Sequence, residues 1–353
     1  KPDFLFTNID MMHQRMVGSK KGFHDFFGLD QRYPPLFILL DEVHTYEGLA
    51  GSNAGLLLRR ICNRMNSIPH LVGLSATLED EKRFFSNITG LNETKINVIT
   101  PYDEEMQLCD AEYIIAVRGD PASQTATLST TIQLIMLLHR MLDKSEEYTS
   151  IISGKAVFGS KTFVFTDKLD IVNRLYNNYL DVEGQELKYG KKHDTDDGPL
   201  AQLRNPKFYT QDLNDLGQIW DISHNLGYTL DEDDKASVTR VTSQDTGVDR
   251  TCDVFIATAS LEVGYNDKGV GAVVQHKSPR SNAAFLQRKG RAGRVRGMRP
   301  ITAIVLSDYG KDRSTFEQYE KLADPILQAQ QLPVLNTHIL KIQAAFCLSL
   351  IHI

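Results

Sequence analysis

The residues with the clearest chemical potential are Asp41-Glu42-Val43-His44, which follow the apolar run Leu36–Leu40. A short continuous apolar run reads as a strand covered on both faces, and parallel sheets place ligand sites at the carboxyl ends of such strands. Phosphoryl transfer needs a metal to bridge phosphates and a positioned nucleophile. Asp41 suits the first task, holding Mg²⁺ through water, and Glu42 suits the second, orienting and deprotonating an attacking water. This is the arrangement of a Walker B strand end. The alternative is a strand that stops in a solvated acidic turn.

A second candidate is Gln287-Arg288-Lys289-Gly290-Arg291-Ala292-Gly293-Arg294. Its spacing predicts Arg291 and Arg294 on one helical face, between glycines that permit close approach. Paired guanidiniums suit the charge on a transferring γ-phosphate, whereas the competing reading is a solvated basic face. Weaker alone is Ser75-Ala76-Thr77, which ends the apolar run Leu71–Leu74. Small hydroxyl residues at that position are also common helix caps.

The elements that must position these residues follow an α/β grammar. Apolar runs at Phe4–Phe6, Leu36–Leu40 and Leu71–Leu74 predict parallel strands in a first layered domain. Runs at Thr162–Phe165, Val254–Ala257, Ala272–Val274 and Ala303–Leu306 predict a second. Between them, Leu128, Ile132, Ile135, Leu138 and Leu142 recur at steps of three and four, predicting one apolar helix face that packs near the domain junction. Asp181–Lys235 is polar and reads as an insertion, and Val334–Ile353 as a helix.

A length of 353 residues suits two domains, since single cores stop growing beyond about 250 residues. With 41% hydrophobic and 24% charged residues the composition is that of a globular protein, and no long apolar run of membrane-spanning type occurs. The four cysteines are scattered without a CxxC pair, which argues against a zinc site or a disulfide framework and for a reducing, cytoplasmic setting. The N-terminus has no signal-peptide pattern and reads like the middle of a domain. Net charge is −6, yet His276–Arg299 holds eight Lys or Arg and no Asp or Glu. For nucleic-acid contact, distribution matters more than the total.

Taken in order, Thr7, Asp41-Glu42-Val43-His44, Ser75-Ala76-Thr77, Phe163–Thr166, Ala257-Thr258 through Asn266, and Gln287–Arg294 resemble motifs Ib or Ic, II, III, IV, V and VI of superfamily 2 DExH helicases. The resemblance implies two RecA-like parallel-sheet domains in tandem, the first incomplete at its N-terminus. The implied layout is residues 1–120 as the C-terminal part of the first domain and 121–160 as a junction. Residues 161–320 would form the second domain, with an insertion at 181–235, and 321–353 a helical C-terminal extension. It further implies ATP and Mg²⁺ as cofactors and DNA, or RNA, as partner. Carried over by position, Glu42, Arg291 and Arg294 are catalytic, Asp41 holds the metal, and Gln287, Gly264 and Asn266 lie by the nucleotide. Many relatives carry Asp where Asn266 stands. His44, Ser75 and Thr77 couple hydrolysis to domain movement, and Thr7, Thr166 and Thr258 contact the nucleic-acid backbone. The wording of Leu-Asp-Glu-Val-His-Thr-Tyr, Leu-Glu-Val-Gly-Tyr-Asn-Asp and Phe-Leu-Gln-Arg-Lys-Gly-Arg-Ala-Gly-Arg is similar to large bacterial helicases of phage-defence and DNA-modification islands. Other defence-system subunits are therefore expected partners.

Such a motor needs GxxxxGK[ST], whose backbone N–H groups and Lys hold the phosphates, and none precedes Asp41. Gly154 through Thr162 is a near match with one residue too many before Lys161, and it leads into a strand where a phosphate loop opens a helix. The expectation is that upstream residues of a longer natural chain, or another polypeptide, supply the loop, and that the chain alone is inactive. The competing class is a non-catalytic nucleic-acid-binding or scaffold module on a degenerate motor fold. Against it, a decayed scaffold has no need of Glu42, Arg291 and Arg294. A nuclease would require clustered metal-binding carboxylates beyond the Asp41–Glu42 pair, and the sequence shows none.

Overall fold

The computed structural model describes residues 3–17, 34–65, 68–75, 78–105, 111–119, 126–143, 157–184, 200–208, 210–228, 235–242, 249–258, 266–323 and 331–351. Thr77 and Gly264 lie outside them. The chain forms two compact units, one of Lys1–Met106 with Leu327–Ile353 and one of Gln107–Ile326.

In the first unit, α1 (Ile9–Val17) precedes β1 (Phe37–Leu40), α2 (Gly48–Arg64), β2 (His70–Gly73) and α3 (Glu81–Thr89). The two strands pair in parallel, Phe37 opposite His70 through Leu40 opposite Gly73. Leu40 buries against Leu58 and Cys62 of α2 and Phe84 and Ile88 of α3. On the opposite face Phe37 and Leu39 remain 57% and 63% exposed. Phe4–Phe6, expected as a strand, is not one: Phe4 and Phe6 are exposed and no pairing partner exists among the described residues. An apolar run alone does not make a strand without a neighbour to complete its ladder.

The second unit is built on a six-stranded, all-parallel sheet. Its strands are β3 (Tyr113–Arg118), β4 (Lys161–Phe165), β5 (Val238–Val241), β6 (Val254–Ala257), β7 (Val270–His276) and β8 (Ile301–Leu306), in the order β3-β8-β7-β4-β6-β5. Every residue of β6, β7 and β8 is buried, as expected where both sheet faces are covered. One face packs Val164, Ile256, Val274 and Val305 against α4 (Thr127–His139) and α5 (Leu169–Val182). The other clusters Phe163, Phe165 and Phe255.

Several boundaries differ from the sequence reading. The helix expected at a junction, α4, lies inside the second core, with Ile132, Ile135, Leu138 and Leu142 all buried there. Strand β3, expected within the first domain, pairs with β8 along its whole length. A helix face with apolar residues at three- and four-residue steps seeks any apolar surface, and the sheet supplies a larger one than a linker does. In the polar insertion the described residues form α6 (Leu200–Leu203), α7 (Gln211–Asp215) and α8 (Asp221–Asn225), and Ala201 and Trp220 join the core. On the sheet's other side lie α9 (Asn282–Lys289) and α10 (Gly310–Glu317). The C-terminal helix α11 (Thr337–Ile351) is no separate extension, because it packs on α2, where Gln343 bonds Arg60 and Asn53 at 3.0 and 2.5 Å.

Candidate nucleotide and nucleic-acid sites

In the first unit, β1 ends at Asp41 and the chain turns sharply. Glu42 sits at φ 47°, ψ 50°, the left-handed region that costs a non-glycine residue about 1 kcal/mol or more. The turn is held from both sides. Glu42 N–H donates to Asp41 Oδ1 at 3.0 Å, and Glu42 O accepts from Thr45 N and Thr45 Oγ1, each at 2.8 Å. Val43 N–H then reaches Leu74 O at 2.9 Å, tying the turn to the end of β2.

His44 is buried, with Nδ1 3.4 Å from Glu42 Oε2 and 3.1 Å from Ser75 Oγ. A carboxylate only accepts, so the Glu42 contact is attractive when Nδ1 carries the proton; the Ser75 oxygen then shares that N–H. One ring thus connects the acidic turn after β1 with the hydroxyl after β2, bringing Glu42, His44 and Ser75 together. Tyr46 lies close by, its phenol pushed up by burial and then by the Asp41 charge. Among the described residues no group of three or more His, Cys, Asp or Glu side chains could hold a metal. The exposed Asp41 carboxylate therefore fits Mg²⁺, which keeps waters and substrate phosphates around one or two protein oxygens, and not a cation that needs a protein cage. Thr7 is exposed just before α1.

The second unit carries its candidates at two ends of one sheet. At the carboxyl end, Thr166 follows β4 and Thr258 follows β6, adjacent through a bond from Thr166 N–H to Ala257 O at 3.1 Å. At the amino end, Gly293 N–H donates to Val270 O, the first residue of β7, at 3.1 Å. There Arg294 Nη1 donates to Asn266 Oδ1 at 2.8 Å and Arg294 Nε to Gly290 O at 3.1 Å.

The predicted helical face for Arg291 and Arg294 requires correction. Helix α9 stops at Lys289 with Gly290 as its C-cap, and the two arginines lie in the turn beyond. Gly293 has φ 72°, and a Cβ there would come within 2.6 Å of Pro300 Cγ, so the chain cannot continue helically with an ordinary side chain. Gln287 stays on the helix, half-buried.

Arg288 is a functional candidate that sequence reasoning passed over. It is 1% exposed, donates to Gln275 Oε1 at 2.7 Å and to Asp167 Oδ1 at 2.6 Å, and lies over the Phe165 ring. The signal was present: Asp167 directly follows Thr166, and Gln275 is a polar residue inside an apolar strand. Of the near-match phosphate loop, Gly154 to Ala156 lie outside the described residues. Lys161 opens β4, and its Nζ is held by Asp267 Oδ2 at 2.8 Å and Arg250 O at 2.7 Å.

A six-stranded parallel sheet covered by helices in one unit, and in the other a parallel strand pair that ends in an Asp-Glu-Val-His turn, are the features of RecA-like α/β domains. Residues 227–296 match the helicase conserved C-terminal domain. Over 318 residues the chain is 24% identical to the ATP-dependent helicase hrq1 of Schizosaccharomyces pombe, covering 88% of this chain and 25% of that protein. Over 106 residues it is 41% identical to Druantia protein DruE of Escherichia coli, covering 26% of this chain and 6% of that protein. In fold it is similar to the helicase Lhr of Mycobacterium smegmatis bound to ssDNA and AMP-PNP, with a TM-score of 0.60 and 15% identity over 99% of this chain and 39% of that one. The chain is thus similar to superfamily 2 helicases, Hrq1 and Lhr among them. It spans only part of the length of these relatives.

Proposed function

We propose that the chain is the motor module of an ATP-dependent nucleic-acid helicase or translocase acting on DNA, in which hydrolysis between two RecA-like domains drives movement along the strand. The observation that carries this reading is the His44 bridge between Glu42 and Ser75, because it links the group that activates water to the end of the neighbouring strand. In this reading Asp41 would hold Mg²⁺, whose charge would offset that of the nucleotide phosphates. Glu42 accepts the proton of the attacking water. Arg291 and Arg294 supply positive charge where it develops on the transferring group. Thr7, Thr166 and Thr258 contact backbone phosphates without reading sequence. The reading further requires a GxxxxGK[ST] loop to hold the phosphates, and the motif wording supports a defence-island setting.

The test is ATP turnover stimulated by single-stranded DNA. The chain alone, without GxxxxGK[ST], is expected to show none; a protein joining it to such a loop is expected to hydrolyse ATP. There Glu42→Gln should keep ATP binding within about threefold and lower kcat by about 10³-fold, since the metal ligand and arginines remain while the base does not. Wild-type turnover in that variant would remove Glu42 from the mechanism.

A further inference from the structure

The carboxyl ends of β8, β7, β4 and β6 lie side by side in the second unit's sheet. Two of them bear Thr166 and Thr258. The other two carry features that the helicase motifs do not use. After β8, Tyr309 is 81% exposed at the tip of the turn that caps α10. After β7, Lys277 adopts φ 66°, the left-handed region, and its side chain is exposed, as is that of Arg280.

These two turns are pinned to each other. The buried Asp312 carboxylate accepts from Ser278 N at 2.9 Å and from Ser307 N and Oγ at 3.0 and 2.6 Å. That set of donors outweighs burial and holds its pKa below the usual carboxylate value. Ser278 Oγ bonds Thr315 Oγ1 at 2.8 Å, and Lys311 Nζ caps Pro279 O and Arg280 O at 2.6 and 3.1 Å. Lys277 N–H donates to Val305 O at 2.8 Å, and its carbonyl accepts from Gln275 Nε2 at 3.0 Å. An unfavourable backbone at Lys277 persists because so many bonds determine it, and its effect is to aim a lysine into solvent from a rigid base. The carboxylates of the row are already engaged, Asp167 by Arg288 and Asp308 by Arg118. Among the described residues the carboxylates at these strand ends are thus already bonded, that of Asp312 by Ser278 and Ser307, while Lys277 and Arg280 are exposed and an exposed aromatic ring stands on the adjoining turn.

The geometry points to a single-stranded nucleic-acid track across these four strand ends, in which Lys277 and Arg280 bind backbone phosphates and Tyr309 stacks a base. The track extends the Thr258–Thr166 contact by two strands. Three inter-strand spacings of about 4.8 Å make it about 14 Å long, a span of a few nucleotides. Exposed cations with an exposed aromatic are the chemistry that binds single strands without sequence preference. This inference rests on the nucleic-acid reading above and adds to it the place where a base is gripped.

The experiment uses the 353-residue chain and a fluorescein-labelled oligothymidylate, followed by anisotropy across a salt series. Tyr309→Ala is expected to weaken binding about tenfold with an unchanged salt dependence, and Tyr309→Phe to restore it. Lys277→Asn with Arg280→Gln should lower the slope of log affinity against log salt by about 1.4, at about 0.7 per released counterion. Asn suits the left-handed backbone at that position, so the charge is removed without new strain. Tyr319→Ala, an exposed tyrosine beyond the far end of α10, serves as control and should bind like the parent. If the parent binds and Tyr309→Ala and the double variant bind equally well, the track is wrong and the broader reading stands. If the parent does not bind, both fall.

Discussion

At the residue scale, Arg294 is exposed yet tethered, its guanidinium donating at 2.8 Å to the Asn266 amide oxygen and at 3.1 Å to Gly290 O, and kinetics separate the finger reading from the basic-face one. In a protein that hydrolyses ATP, Arg294→Ala is expected to lower kcat by about 100-fold or more and to change KM for ATP by less than about threefold, because a finger contact strengthens as charge develops on the phosphoryl group. Asn266→Ala should reproduce part of that loss, about tenfold, since the guanidinium keeps its charge and loses one anchor. Steady-state kinetics over a range of ATP concentrations separate the cases. An effect confined to KM would return the run to the basic-face reading.

At the element scale, two buried polar contacts hold α4 in the second core. Arg140, at its C-cap, donates to both oxygens of Glu183 at 2.8 and 2.6 Å, with both side chains 0% exposed. Removing one partner strands a buried charge, so Glu183→Ala should destabilise the second unit by about 3–5 kcal/mol, read from urea denaturation. A loss below about 1 kcal/mol would show that water reaches the pair. The other contact joins His276 Nδ1 to Thr131 Oγ1 at 2.8 Å. Since Thr131 Oγ1 donates to Thr127 O, the ring nitrogen Nδ1 is the donor to Thr131 Oγ1. Burial, then the Lys277 charge, lowers the His276 pKa from 6.5 to about 4. The unfolded chain therefore binds more protons than the folded one between those values, and stability falls as pH drops through that window. The loss approaches about 3 kcal/mol at 1.36 kcal/mol per unit. His276→Asn, which keeps a donor but does not titrate, should flatten the difference in urea midpoint between pH 7 and pH 4. A parent curve no steeper than the variant's would dismiss the titration.

At the scale of the whole molecule, the two units are built differently along the chain. Gln107–Ile326 is continuous and contains all six strands of its sheet, whereas the first unit is completed by Leu327–Ile353. Leu332 enters the cluster of Leu40, Leu58 and Phe84, and Gln343 bonds Asn53 and Arg60 of α2. A polypeptide of residues 107–326 is therefore expected to unfold in one cooperative transition on its own. Ending the chain at residue 326 should speed amide exchange throughout α2 while leaving β7 as protected as before. Equal protection of α2 with and without the last segment would show that the first unit does not depend on it.

The sequence alone determined most of the strands and named the candidate reactive residues. Continuous apolar runs place β4, β6, β7 and β8, because a strand buried on both faces must be apolar at every position, and that pattern is local; β1 and β2 carry the same pattern although Phe37 and Leu39 are exposed. Asp41, Glu42 and the arginine run were legible for the same reason, as reactive side chains set at short fixed spacings. Tertiary structure decided where those pieces go. The edge strand β5, Val-Thr-Arg-Val, looks like polar loop until β6 pairs with it. Helix α4 reads as a linker until the sheet covers its apolar face, and the last helix as an extension until α2 receives it. The end of α9 at Lys289 depends on Gly293 meeting Pro300, and the burial of Arg288 on acceptors 13 and 121 residues away. Contacts between residues so far apart in sequence depend on which surfaces meet when the chain collapses, and no periodicity within a short window carries that information.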